Sequence, residues 1–75
     1  MQMAQDIENR FTYHAPFGDQ TARYRDIRDA AKELAYLIVK ETPDSREQSL
    51  ALTNLEQAVF WANAAIARHE VNPDD

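Results

Sequence analysis

The four residues Thr42-Pro43-Asp44-Ser45 separate two long stretches of helical pattern. Pro43 disfavours a helical conformation at Thr42, so a helix that reaches Glu41 stops there. Ser45 with Gln48 fits a capping box, in which each side chain satisfies the other's backbone N–H, so a second helix starts at once. A connection this short makes the two helices antiparallel neighbours. The spacing predicts the first over residues 21–41 and the second over residues 45–70.

The apolar periodicity agrees. In the first helix Tyr24, Ile27, Ala31, Leu34 and Ile38 recur every three or four residues, and Ala30, Ala35 and Leu37 widen that face. Asp19 or Thr21 can cap its start. In the second, Leu52, Leu55, Val59, Ala62 and Ile66 form the main face. Upstream, residues 4–10 fit a short helix. Residues 11–20 read as irregular, with Pro16 restricting Ala15 and Gly18-Asp19 marking a turn. Residues 72–75 read as a frayed tail. The expected fold is all-α: one domain over residues 1–75, a short N-terminal helix plus two long antiparallel helices.

The second helix has more apolar surface than a hairpin can hide. Ala51, Ala58 and Ala65 form a small-residue stripe beside the main face, and Leu50, Trp61 and Phe60 lie on its flanks. A helix pair has only one inside, so this surface meets another chain or leaves a large exposed patch. The alternative is that the N-terminal segment folds back over it. A chain of 75 residues also needs help to be stable. With no cysteine, disulfides and thiolate metal sites are excluded. His14 and His69 are too few for an all-histidine metal site. Oligomerisation is the help that remains, with Trp61 as an interface anchor.

Charge narrows the partners. Eight Lys and Arg against thirteen Asp and Glu disfavour binding to long nucleic acid, which needs a broad basic surface. A small anion held by a few arginines stays open. No apolar run is long enough to span a membrane. Residues 1–6 lack a basic region and an apolar core, so no signal peptide is expected, and the default location is the cytoplasm of the producing cell.

Two clusters carry candidate chemistry. Arg25, Arg28 and Lys32 share one helical flank, with Asp29 among them. They form either a solvated face with an Arg25–Asp29 pair or a phosphate clamp. Phe11, Thr12, Tyr13 and His14, with Phe17, concentrate aromatic rings before that helix. The rings either cover the helix pair or stack on planar ligands. Tyr36 reads as an exposed amphipathic residue or an interface residue. Asn63 falls on the main apolar face and must find partners there. Setting helix register is the preferred role, contacting a ligand the other. Arg68 and His69 suit the negative end of the helix dipole. The chain has no Gly-rich phosphate loop, no H-x-x-x-H pair, no serine elbow and no carboxylate pair suited to acid–base work. A binding protein without a cofactor is expected, not an enzyme.

The chain as a whole resembles a known family. The residues are Ile7-Glu8-Asn9-Arg10-Phe11-Thr12-Tyr13-His14, then Arg23-Tyr24-Arg25-Asp26-Ile27-Arg28, then the unbroken run SREQSLALTNLEQAVFWANAAIAR from Ser45 to Arg68. Over residues 7–69 this resembles the anti-CBASS protein 2 family of phage proteins. The resemblance implies a sponge in the cytoplasm of the infected bacterial host. Such a protein binds cyclic dinucleotides (such as cyclic GMP-AMP) and cyclic trinucleotides without cleaving them, so the host immune effector is not activated. It also implies a compact homohexamer, a trimer of dimers, with dinucleotide pockets between protomers and trinucleotide sites near the three-fold axis. The aromatic that stacks on a base corresponds to Phe11 or Tyr13. The basic residue on phosphate corresponds to Arg25 or Arg28, with Lys32 behind. For the trinucleotide site the resemblance carries over Thr12 and Arg68. A competing reading is a small helical oligomeric scaffold whose Ala51, Ala58, Ala65 and Trp61 surface binds a protein. A phosphodiesterase is disfavoured by the missing metal ligands.

Overall fold

The computed structural model describes residues 3–74. Met1, Gln2 and Asp75 fall outside them, and with these residues part of the leader reading and the end of the expected tail. The order is α1 (Met3–Phe11), α2 (Gln20–Glu41) and α3 (Arg46–His69), with no strand among the described residues. The long helices pack on each other as an antiparallel hairpin, which is the main contact between elements. No helix is long and apolar enough to cross a membrane among the described residues.

The closed end of the hairpin follows from its sequence, with one change. Thr42 is extended, and both its N–H and its hydroxyl donate to the Ile38 carbonyl, at 3.1 and 2.6 Å. Ser45 caps α3 by accepting from the Gln48 N–H at 3.1 Å. The return half of the capping box does not form. Gln48 Nε2 instead donates across the turn to the carbonyl and hydroxyl oxygens of Thr42, both at 3.1 Å. The last carbonyls of a helix lack intrahelical donors, and the Gln48 amide supplies one at the end of α2.

The open end is tied by polar groups. Glu70, the residue after α3, accepts a two-pronged contact from Arg23: Nη1 to Oε2 at 2.7 Å and Nη2 to Oε1 at 2.5 Å. Gln20 Nε2 donates to the same carboxylate at 3.0 Å. Gln20 is 2% exposed and is the one fully buried side chain among the described residues. Neither expected cap of α2 forms. Asp19 occupies the cap position but makes no capping bond. Its carboxylate accepts from Arg23 Nε at 3.0 Å. Thr21 lies inside the first turn.

The seam takes Tyr24, Ile27, Ala31, Ala35 and Ile38 from α2, and Leu52, Leu55, Val59, Ala62 and Ile66 from α3, all half-buried. Leu34, expected in the stripe, is exposed, and Ala35 packs in its place. Tyr36 is exposed. No apolar side chain is fully buried among the described residues. The N-terminal segment does not cover the extra face of α3: Phe60 is 60% and Trp61 66% exposed, and Leu50 is open too. The shape matches this. The radius of gyration is 15.9 Å, against about 11 Å for a compact chain of this length. The surface is 6196 Å², against about 4,700 Å² for a compact monomer of this mass. In the expected tail, Asn72 is half-buried and its side chain accepts from the Asp74 N–H at 3.0 Å.

The clamp at the open end makes stability depend on acid. The Arg23 guanidinium, helped by Gln20 and opposed by partial burial, holds the Glu70 carboxyl down at about 2, from 4.5. A depressed carboxyl stabilises the fold above its unfolded value, and that contribution is lost as pH falls through the folded one. The melting temperature of the wild type should therefore fall between about pH 4.5 and 2. Glu70→Gln should lower it at neutral pH and flatten this acid limb. Parallel acid limbs in thermal scans of the two proteins would refute the clamp.

Candidate functional site

The site is built where the N-terminal segment crosses the open end of the hairpin. After α1 the chain runs without regular structure through residues 12–17. His14 Nε2 donates to the Asn9 carbonyl at 2.8 Å, which folds the segment back against α1. Gly18 turns the chain into α2 from the left-handed region, at φ 56°, where a side chain would be strained. Gln20 fixes the turn: its N–H donates to the Phe17 carbonyl and its Oε1 accepts from the Phe17 N–H, both at 3.1 Å. The buried amide thus joins the aromatic segment to the Arg23–Glu70 clamp.

This arrangement leaves an open cleft of about 400 Å³. Arg10, Thr12, Tyr13 and His14 line it from the N-terminal side, Tyr24 from α2. Asn63, Ala64, Ala67 and Arg68 line it from the last turns of α3. Ala64 and Ala67 are small, so α3 leaves room beneath the rings. Two phenol rings, an imidazole and two guanidinium groups therefore share one concavity. Arg10 pairs with Asp6 at 3.3 Å within α1. Arg68 has no ion-pair partner among the described residues, so its charge is uncommitted. A planar anionic ligand suits such a lining.

A second groove of about 610 Å³ runs along the seam. Its floor is apolar, from Ala31, Ala35, Leu52, Leu55 and Val59, with Arg28 and Lys32 on one side and Phe60 on the other. Asn63 lines both the cleft and the groove. Its Oδ1 is closed to solvent and has no hydrogen-bond partner among the described residues. A buried orphan acceptor costs roughly 1–3 kcal/mol. The partners expected for Asn63 from the sequence are therefore missing for this atom within one chain.

The residues singled out from the sequence are divided between these places. Thr12, Tyr13 and Arg68 meet in the cleft, and Arg28 and Lys32 border the groove. Arg25 lines neither and forms no pair with Asp29. Phe11 lines neither and is 78% exposed. It is the last residue of α1 rather than part of the irregular segment, and the Arg10 guanidinium lies 5.8 Å from its ring centre. Sequence reasoning missed Arg10 and placed Tyr24 in the seam alone. Arg10 sits three residues before Tyr13, but only the fold-back at His14 brings both to one cleft. Among the described residues no group of His, Asp and Glu side chains is placed to hold a metal ion.

Residues 3–67 match the family described as Acb2/Tad1, hairpin domain. The chain belongs to that family. No curated protein and no solved structure matches it. The match supports the resemblance to the anti-CBASS protein 2 family. It takes in α1, α2 and all but the end of α3, and every cleft residue except Arg68, which follows its last position directly.

Proposed function

We propose that this protein is an anti-CBASS sponge, which binds cyclic di- and trinucleotide messengers in the cytoplasm of an infected bacterium and withholds them from the host effector. The observation that supports this best is the cleft, where Tyr13 and Tyr24 stand with Arg10 and Arg68 in a member of the Acb2/Tad1 hairpin family. The rings stack on bases, at roughly 1–3 kcal/mol each. The guanidinium groups donate to phosphate oxygens. Arg28 and Lys32, at the groove, supply further positive charge. Arg25 and Phe11 are exposed in the lone chain and belong to the site only if a second copy brings a ligand to them.

The proposed working unit is the homohexamer. About 1,500 Å² of surface in excess of a compact monomer is enough for a protein interface on each copy. A two-fold contact presents the same ring and the same arginine twice, which suits the near-symmetry of a cyclic dinucleotide. Two stacked bases and two phosphate contacts reach affinities on the order of nanomolar, about −12 kcal/mol. Sequestration needs only tight binding and slow release. The protein is therefore proposed to be a binder, not an enzyme.

Four measurements check this. Calorimetry with a panel of cyclic di- and trinucleotides should give heat with at least one. None with any would favour the scaffold reading. A messenger mixed with the protein should be recovered intact after the protein is denatured, whereas a linear product would indicate a nuclease. Tyr13→Ala and Arg68→Ala should each weaken binding roughly tenfold to a hundredfold. Both should leave the elution volume alone, while Ala58→Glu should shift it to a smaller species. Unchanged affinity in both cleft variants would move the site elsewhere.

A further inference from the structure

Asn63 is the one polar side chain at the junction of the cleft and the seam groove whose chemistry the fold leaves unfinished. Its neighbours along α3 are Ala62 and Ala64, which offer no side-chain donor. The carboxamide oxygen is closed to solvent and has no hydrogen-bond partner among the described residues. An apolar residue there would remove that penalty, so the amide makes the lone chain less stable. We infer that Asn63 is a specificity residue of the proposed nucleotide site, and that its Oδ1 is satisfied by a hydrogen-bond donor of the bound nucleotide. The inference rests on the sponge reading and adds which group of the ligand is read.

The surroundings favour a nucleotide donor over other occupants. Rings from Tyr13 and Tyr24 and the guanidinium of Arg68 border the cleft that Asn63 lines, so a base and a phosphate have partners beside it. The terminal torsion of an asparagine is broad, so a donor seated in the cleft or the groove can draw the oxygen toward it. Two kinds of donor occur on such a ligand: the exocyclic amine of a base and a ribose hydroxyl. A site with a buried polar group discriminates strongly against a ligand that lacks the matching donor, because the group is then left unpaired.

The test uses the full chain and calorimetry with cyclic GMP-AMP and cyclic triadenylate. Asn63→Leu should raise the melting temperature of the ligand-free protein and weaken binding about tenfold or more. On the wild type, analogues with the base amine removed and analogues with deoxyribose separate the two donors. One of the two sets should lose a comparable factor, and that loss should vanish in Asn63→Leu. The ligand comparison on the wild type needs no variant to fold. If the wild type binds its ligand and Asn63→Leu binds equally well, the inference fails alone. It fails as well if neither analogue set loses affinity, or if Asn63→Leu elutes as a smaller species, since the amide is then satisfied by a second copy. If the wild type binds no cyclic nucleotide, the sponge reading falls and this inference with it.

Discussion

Two helices laid side by side have one seam, and this chain has more apolar side chains than one seam takes. The hairpin half-buries a single stripe from each helix and fully buries no apolar residue among those described. Phe60, Trp61, Leu50 and Leu34 stay in water. The hydrophobic effect acts on area removed from water, so the lone chain draws little from it. Polar groups tie both ends of the hairpin. Thr42, Ser45 and Gln48 close one end, and Gln20, Arg23 and Glu70 hold the other. A hairpin held at its ends, with its outer faces open, is suited to be one part of a larger body.

The polar lock at the open end also bears on the proposed site. Gln20 reaches the Phe17 backbone with one end of its amide and Glu70 with the other. The aromatic segment is thereby joined to both long helices at the point where α3 ends. Tyr13 and Tyr24, far apart in the chain, come to one cleft with Arg68 for that reason. His14 and Tyr24 serve both the fold and the cleft, but Tyr13 and Arg68 take no part in the ties at the hairpin ends. Those two side chains can therefore be changed without undoing the hairpin, which makes the site testable by substitution.

Much of the architecture was legible in the residues. Pro43, with the apolar spacing on either side, specified two long helices and their antiparallel packing, because a short connection allows little else. The surplus of apolar faces on α3 was legible too, since periodicity shows which side chains share a face. Local hydrogen bonding was less so. Ser45 and Gln48 met the pattern of a reciprocal cap, yet Gln48 serves the preceding helix, whose free carbonyls lie within its reach. Asp19 met the pattern of a cap and gives its oxygen to Arg23. A pattern names which groups can bond, and competing donors nearby decide which do.

The sequence by itself determined the helical class, the break at Pro43, the excess apolar surface and the family, since each depends on residue type and spacing along the chain. The tertiary structure alone decided the grouping of the candidate residues. It put Thr12, Tyr13 and Arg68 in one cleft with Arg10 and Tyr24, set Arg28 and Lys32 along another groove, and left Arg25 and Phe11 outside both. It also showed that the Asn63 oxygen has no partner among the described residues. Those facts depend on where an irregular segment turns, through the His14 contact, the left-handed Gly18 and the buried Gln20 amide. Such contacts join residues that no periodicity relates, so only the folded chain displays them.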